Sequence, residues 1–397
     1  MANLGVYIQV PFCQTKCTYC NFHTGVVSAG RFAPYADAVC REIRGHRSLL
    51  EAAGVRDSQT LSTERRVADT VYVGGGTPSL LEPQLLREML QALRDNFSCV
   101  WEEVTLEADP ETIDAEKAAQ WTAVGFNRVS FGSQSFVDEE LKAAGRMHRR
   151  DDIYRAVPIL RAAGIRNISF DLIAGLPKQT PASWRQSLDE TIALAPEHVS
   201  IYMMEIDESS RLGLEVLQGG ARYSARELPS EEAMAEFYEL AQAELKAAGY
   251  LQYEISNWAK PGFASRHNQK YWQREAYLGF GAGAHSFSGT QRWANRHDAA
   301  AYVAALLEGK SAIETVDEVS PSMALEEELF LGLRQTAGID LGRIERQYGV
   351  SFSERASQLA ASGMVKTIDG TLRLPADKLS VSNEIIVELL RSVQTLV

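Results

Sequence analysis

The sequence predicts an open, partial barrel of six parallel β/α units, followed by a small C-terminal α+β domain. Apolar, strand-like runs alternate with helix-like stretches through about the first two hundred residues, and this alternation is typical of parallel β/α architecture. Six such units are fewer than the eight of a closed barrel. We therefore expect an open barrel with ligands bound at the carboxyl ends of its strands.

The predicted elements follow one another with short connections. The strands, short runs with apolar and β-branched residues, lie at residues 4–10, 69–73, 103–107, 127–131, 167–173 and 198–202. The helices carry Ala, Leu, Glu and Arg at helical spacing and lie at residues 34–53, 82–96, 114–124, 151–163 and 181–194. Residues 209–229 are Gly-rich and Arg-rich, and we expect them to cross the barrel mouth as an irregular segment.

The C-terminal part of the chain has a different pattern. Helical spacing at 323–335, 341–348 and 353–362 is followed by strand-like residues 365–368 and 372–374 around an Asp-Gly pair, which predicts a winged-helix-like unit with a hairpin. We expect two domains, residues 1–310 and residues 318–397.

Composition and charge limit the function classes. The chain has 397 residues, 45% of them hydrophobic, and a net charge of -12, so it can bury a large core and has no basic surface for nucleic acid. Its start has no basic, apolar leader and no apolar run reaches membrane-spanning length. We expect a cytoplasmic protein that at most touches the inner face of the membrane.

Three cysteines form a candidate metal site directly after the first predicted strand. Cys13, Cys17 and Cys20 have the spacing Cys-x3-Cys-x2-Cys, and thiolates are good ligands for iron and zinc. Neither Cys40 nor Cys99 stands at a matching offset for a fourth ligand. We therefore predict a [4Fe-4S] cluster held by three cysteines, with one open iron. A structural zinc ion or a chance grouping of core cysteines are the alternatives.

Further motifs at the predicted strand ends carry a resemblance to a known family. They are VGGGTPS at residues 73–79, LEADPE at 106–111, RVSFGSQSF at 128–136 and DLIAGLPKQT at 171–180. With the cysteine motif, they resemble the radical S-adenosylmethionine (SAM) superfamily, and within it the branch of coproporphyrinogen oxidases and heme chaperones. The resemblance extends over nearly the whole chain.

The resemblance implies that SAM binds beside the cluster, with its amino and carboxylate groups on the open iron. Asp171 would bind ribose hydroxyls and Arg146 would pair with the cofactor carboxylate. The residues expected near SAM are Tyr7, Tyr19, Gly75, Gly76, Thr77, Glu107, Gln134, Arg146 and Asp171. Gln9 stands where the family has histidine, so a proton-transfer or polar role of that histidine is in doubt.

A second motif points to heme. Residues 267–272, HNQKYW, offer a histidine that can ligate heme iron and two aromatic rings that can cover a porphyrin. A turn-capping His-Asn pair and an ordinary core Tyr-Trp pair would explain the same residues. The resemblance to the heme chaperones favours His267 as the axial ligand, with His285 and then His297 as weaker candidates.

Two features separate the chaperone from the oxidase. The oxidases have a further cysteine where this chain has Phe22, and a long extension where only twelve residues precede Cys13. The resemblance thus implies a heme chaperone, rather than an enzyme, that delivers heme to cytosolic or membrane-bound hemoproteins. An oxygen-independent coproporphyrinogen III oxidase is the main alternative, and a radical SAM enzyme acting on heme is a third. Iron or electron donors, and a second copy of the chain, are further candidate partners.

Overall fold

A computed structural model describes residues 2–56, 66–391 and 394–395 of the chain. Six parallel strands, paired in sequence order, form the centre of a twelve-stranded sheet within these residues. The six are β1 (Ala2–Val10), β2 (Arg66–Gly75), β3 (Ser98–Ala108), β4 (Arg128–Gln134), β5 (Asn167–Ala174) and β6 (His198–Met203). The prediction of a partial β/α barrel is confirmed.

Helices cover the outer face of this sheet and bury its apolar residues. They are α1 (Phe32–Ala52), α2 (Pro83–Asn96), α3 (Ala115–Val124), α4 (Asp138–Ala143), α5 (Arg150–Ala162) and α6 (Pro181–Leu194). Local sequence explains two of the helix starts. The side chain of Asp114 accepts a hydrogen bond from the backbone N–H of Lys117, and that of Thr180 from the N–H of Ser183, which satisfies amides that the first turn leaves free.

The sheet continues beyond both ends of the predicted barrel. Past β6 lie the antiparallel strands β7 (Leu251–Glu254) and β8 (Asn257–Ala259). On the other side, β9 (Tyr277–Phe280) pairs parallel with β1 and is followed by the antiparallel strands β10 (His285–Phe287), β11 (Gln291–Asn295) and β12 (Ile313–Glu318). The glycine-rich stretch before His285 thus joins two strands whose Phe280 and Phe287 are buried.

Four more helices belong to this part of the chain. They are α7 (Arg211–Leu217), α8 (Glu231–Ala247), α9 (Arg266–Trp272) and α10 (Ala299–Leu307). Helix α7 lies within the segment that was expected to be irregular. No helix among the described residues has the length and apolar character needed to cross a membrane.

The C-terminal residues form a smaller α+β unit with a core of its own. Its helices are α11 (Pro321–Arg334), α12 (Leu341–Tyr348), α13 (Ser353–Ala361) and α14 (Ser382–Leu390). Its strands are β13 (Ile339–Asp340), β14 (Val350–Ser351), β15 (Lys366–Ile368), β16 (Thr371–Arg373) and β17 (Gln394–Thr395). Strands β13, β16 and β15 pair in a three-stranded sheet. Strand β12 follows the end of the first predicted domain and reaches the first residue of the second, and the limits of both domains stay a prediction.

A buried carboxylate joins helix α1 to the added part of the sheet. Glu42 accepts hydrogen bonds from the Tyr302 hydroxyl (2.6 Å), the Asn295 amide (2.6 Å) and the Gly281 backbone N–H (2.9 Å). These partners lie on α10, at the end of β11 and just after β9, so one side chain fixes three elements that are distant in sequence. Burial raises the pKa of Glu42 to about 7.

The raised pKa predicts a pH-dependent stability. The folded protein binds the proton of the Glu42 carboxyl more tightly than the unfolded chain does. Protonation of Glu42 therefore contributes fully to the free energy of unfolding below pH 4.5, and this contribution is lost as the pH rises through about 7. Replacing Glu42→Gln removes the titration. We expect the loss of unfolding free energy over this range to be up to about 3 kcal/mol smaller in the variant than in the wild type. Denaturant titrations at several pH values measure the free energy of unfolding. If it changes with pH equally in the wild type and in Glu42→Gln, the raised pKa of Glu42 is wrong.

Candidate cluster and cofactor site

The carboxyl ends of the parallel strands form one rim of the barrel. The register pairs Val10 with Gly75, Ala108 with Phe131 and Ala174 with Met203. Parallel pairing therefore collects residues that are far apart in sequence at one edge. The predicted SAM residues on β1 to β5 all lie in the carboxyl-terminal halves of their strands: Tyr7, Gly75, Glu107, Gln134 and Asp171.

The cysteine loop starts at this rim and is tied to the end of β2. The Gly76 N–H donates to the Val10 carbonyl (2.8 Å), and the Thr77 N–H donates to the Phe12 carbonyl (2.7 Å). A Cβ at position 76 would collide with the Phe12 backbone. Glycine is therefore required at Gly76 for the close approach of two chain segments, which is a structural reason for part of the glycine motif.

The other side of the loop rests on α4 and α7. The Thr18 N–H donates to the Ala144 carbonyl (2.9 Å), and the Leu212 N–H donates to the Thr18 carbonyl (2.7 Å). Tyr19 packs beside the small apolar cluster that includes Leu176 and Leu212. Burial, together with the neighbouring Cys17, raises the pKa of the Tyr19 hydroxyl. Three elements thus hold the short loop that carries the thiols.

Arg146 connects the cysteine loop to two strand ends. Its Nη1 donates to Cys17 Sγ (3.5 Å), and its Nη2 donates to the Gly132 carbonyl (2.8 Å) and forms an ion pair with Asp109. Asp109 also accepts from the Thr77 hydroxyl (3.1 Å). Sequence reasoning missed Asp109 as a site residue. Its position two residues after Glu107, at the same strand end, is the signal that would have found it.

The chemistry of the three thiols suits a cluster. Burial raises the pKa of Cys13 and of Cys20. In the part of the chain that the structure describes, no three His, Cys, Asp or Glu side chains are arranged as ligands of a single metal ion. Each thiolate of a cubane binds a different iron, so the sulfurs around a cluster lie farther apart than those around one zinc ion. The donor set, three thiols on one short loop, fits an iron-sulfur cluster.

Glu107 lies beneath the rim and orders the residues around Gly75. Its carboxylate accepts from the Tyr72 hydroxyl and the Gly75 N–H, both at 2.8 Å. Burial raises the pKa of Glu107 to about 7. Nearby, the Tyr7 hydroxyl donates to Gln9 Oε1 (2.6 Å). Gln9 therefore makes a polar contact at the position where the family has histidine.

Asp171 lies deeper, on β5. The Ser130 hydroxyl donates to its carboxylate (3.3 Å), and burial raises its pKa although Ser200 and Arg128 oppose the shift. Arg128 is fully buried, and its Nε and Nη1 atoms have no hydrogen-bond partner within the described residues. Gln134 ends β4 in the left-handed region, with φ of 63°. A half-buried carboxylate suits the hydroxyls of a ribose.

His267 lies at the opposite end of the barrel from the cysteines. It is 1% exposed. Its Nδ1 is 3.0 Å from the Thr70 hydroxyl and its Nε2 is 2.8 Å from the Tyr271 hydroxyl. The Glu103 carboxylate accepts a hydrogen bond from the His267 backbone N–H (3.0 Å) and so caps the start of α9. We call this end of the barrel, opposite the rim, the floor. Burial, with nearby Lys270, lowers the pKa of His267 to about 3.

This environment sets a condition on the heme prediction. Both imidazole nitrogens of His267 have hydrogen-bond partners. Ligation of heme iron by His267 therefore requires that Tyr271 release Nε2 and that the floor of the barrel open. The ligation itself stays a prediction. His285 and His297, the weaker candidates, are exposed.

The comparisons with known proteins agree with this geometry. The profile of the Radical SAM superfamily matches residues 7–191, and that of the HemN C-terminal domain matches residues 319–377. The heme chaperone HemW of Bacillus subtilis is 33% identical over 96% of this chain and 97% of its own. The chain belongs to the HemW family of the radical SAM superfamily. The HemW proteins of Synechocystis sp. and Escherichia coli are 35% and 34% identical, over 89% and 71% of this chain and 82% and 69% of their own.

One solved structure shares the fold over nearly the whole chain. The coproporphyrinogen III oxidase HemN of Escherichia coli superposes with a TM-score of 0.80, at 23% identity, over 98% of this chain and 90% of its own. Membership of the HemW family within this superfamily implies a [4Fe-4S] cluster and SAM. The three thiols and the carboxylates at the rim fit both groups.

The first prediction from this site concerns the cluster. Replacing Cys13, Cys17 and Cys20 together by alanine should abolish iron and sulfide binding, because no thiolates then remain at the rim. Metal and sulfide analysis with electron paramagnetic resonance measures the cluster. Cys99→Ala is the matched control, since Cys99 lies on β3 away from the rim, and should keep it. Stoichiometric zinc in the wild type, or a full cluster in the triple variant, would refute the assignment.

The second prediction concerns SAM. Asp171→Ala should weaken SAM binding by roughly 1.5 to 3 kcal/mol, the range for a hydrogen bond to a charged group. Asp171→Asn keeps the shape of the side chain, so its SAM affinity should fall less than that of Asp171→Ala. Calorimetry on cluster-replete protein measures the affinity, with Asp37→Ala on the exposed face of α1 as the control. Normal affinity in Asp171→Ala would show that this carboxylate does not bind the cofactor.

Proposed function

We propose that this protein is a heme chaperone, which binds heme and transfers it to recipient hemoproteins, and which carries a [4Fe-4S] cluster and SAM at the barrel rim. The observation that carries the proposal is the 33% identity to a heme chaperone over 96% of the chain. By contrast, the likeness to the oxidase, at 23% identity, is one of fold.

Phe22 supports the chaperone over the oxidase. It stands two residues after Cys20, where the oxidases carry a further cysteine, and its side chain is 64% exposed. An exposed phenyl ring so close to the cysteine loop offers apolar surface for a macrocycle or for a recipient protein. A cysteine at this position would instead offer another thiol to the metal centre.

The residues at the rim have separate roles in this proposal. Cys13, Cys17 and Cys20 hold the cluster, Glu107 orders the Gly75 backbone, and Asp171 binds the ribose of SAM. When bound, the cluster and SAM supply one-electron chemistry. Arg146 already has Asp109 as its partner, so pairing with the cofactor carboxylate would require it to share its donors. Recipients in this proposal are cytosolic or membrane-bound hemoproteins.

The second candidate is an oxygen-independent coproporphyrinogen III oxidase. The observation that favours it is the shared fold over 98% of the chain. Such an enzyme would remove carboxyl groups from two propionates of its substrate, which a chaperone would leave unchanged.

Paired assays on anaerobically reconstituted protein decide between the two. We expect ferric heme to bind with a distinct Soret band, and coproporphyrinogen to stay unchanged in the presence of SAM and a reductant. A protein substituted at all three cysteines is the control, because it should fail in any SAM-dependent turnover. Efficient formation of protoporphyrinogen by the wild type would show that the protein is an oxidase. Absence of heme binding would refute the chaperone function.

A further inference from the structure

The seven histidines of this chain divide into two groups. All seven lie within the described residues. Four are buried inside the protein, namely His46, His148, His198 and His267. The other three are exposed, namely His23, His285 and His297. An imidazole that is to meet a ligand as large as heme without opening of the core must come from the second group.

The three exposed histidines meet at one place on the surface. The ring centroids of His23 and His297 are 4.2 Å apart, and those of His285 and His297 are 6.4 Å apart. His23 follows the cysteine loop, His285 begins β10, and His297 follows β11. Three separate segments thus bring their imidazoles together, although exposed polar side chains have no packing reason to gather. We call this group the histidine cluster.

The surroundings leave these imidazoles available as ligands. A Cβ on Gly283 would lie 3.0 Å from His297 Nδ1, so the glycine makes room for this ring. Within the described part of the chain, no ring nitrogen of the cluster is engaged in a hydrogen bond, unlike both nitrogens of His267. Partial burial, with His297 and Arg292 nearby, lowers the pKa of His285, which keeps its ring neutral and its lone pair free.

Apolar side chains stand next to His23 of the cluster in the sequence. Phe22, Val26 and Val27 lie in the same short segment as His23 and are 64%, 59% and 39% exposed. Exposed apolar groups of this size mark a binding surface when they lie together. Arg296, next to His297 in the chain, is exposed as well and can pair with a carboxylate. Imidazole, apolar surface and a cation correspond to the iron, the macrocycle and the propionates of heme.

A single metal ion fits this cluster less well than heme does. No three His, Cys, Asp or Glu side chains among the described residues converge as ligands of one ion. Heme brings four nitrogens of its own, and its iron needs only axial ligands from the protein. One or two imidazoles of the cluster are therefore sufficient.

We propose that heme binds at the histidine cluster, with an imidazole of His23, His285 or His297 on its iron and its macrocycle across Phe22, Val26 and Val27. This inference rests on the proposed function, because it names the site at which the chaperone holds heme. The site lies beside the cysteine loop at the surface, where heme can be passed to a recipient without unfolding of the barrel.

Heme titration of the cluster-replete protein tests the site. A variant with His23, His285 and His297 all replaced by alanine should bind heme about tenfold or more weakly and should lose the spectrum of imidazole-ligated iron. Free imidazole added to this variant should restore that spectrum, which a merely structural defect would not allow. Unchanged cluster content and SAM binding show that the variant is folded. His267→Ala is the matched comparison and should keep the wild-type heme spectrum.

The outcomes separate the site from the function. If the wild type binds heme and the triple variant binds it equally, with the same spectrum, the site is wrong and the chaperone function stands. If His267→Ala alone loses the imidazole spectrum while keeping its cluster, heme is held at the barrel floor and the site is again wrong. If the wild type binds no heme, the proposed function fails and this site fails with it.

Discussion

The ion pair between Arg146 and Asp109 is the interaction on which the candidate site depends. A buried guanidinium is costly to keep without a partner, and here it meets Asp109, the Gly132 carbonyl and the Cys17 sulfur. Burial opposes the charge, but Asp109, Cys17 and Tyr19 raise the pKa of Arg146 well above its usual range. Because Asp109 also accepts from Thr77, one pair joins the cysteine loop to the ends of β2, β3 and β4. The loop alone is too short to fix its own position.

The two ends of the barrel are built for different purposes. At the rim, glycines and carboxylates at the strand ends lie among half-buried thiols. At the floor, Glu103 caps α9, and His267 lies between Thr70 and Tyr271. These contacts bury His267 and join α9 to β2 and β3. A large macrocycle is therefore more easily accommodated on the outer surface than at the floor.

The sequence was most informative where local patterns suffice. All six central strands and the five predicted helices between them are present, because apolar alternation and helix caps are local properties. The short helix α4 was not predicted, and β3 begins five residues before its predicted start at residue 103. The added strands were missed. Strand β9, for example, lies in a glycine-rich stretch with only four strand residues, and its place beside β1 comes from contacts with residues far away in the chain. Burial of Phe280, rather than local propensity, decides it.

The same distinction applies to the candidate site. The sequence by itself determined that three thiols follow the first strand, that glycines and carboxylates stand at the next strand ends, and that the chain resembles one superfamily. Only the tertiary structure decided which side chains are free to act. His267 contacts Thr70, which is 197 residues away, and is buried, whereas His297 meets His23 at the surface. Exposure and hydrogen-bond partners depend on residues that the fold brings together, and no local pattern records them.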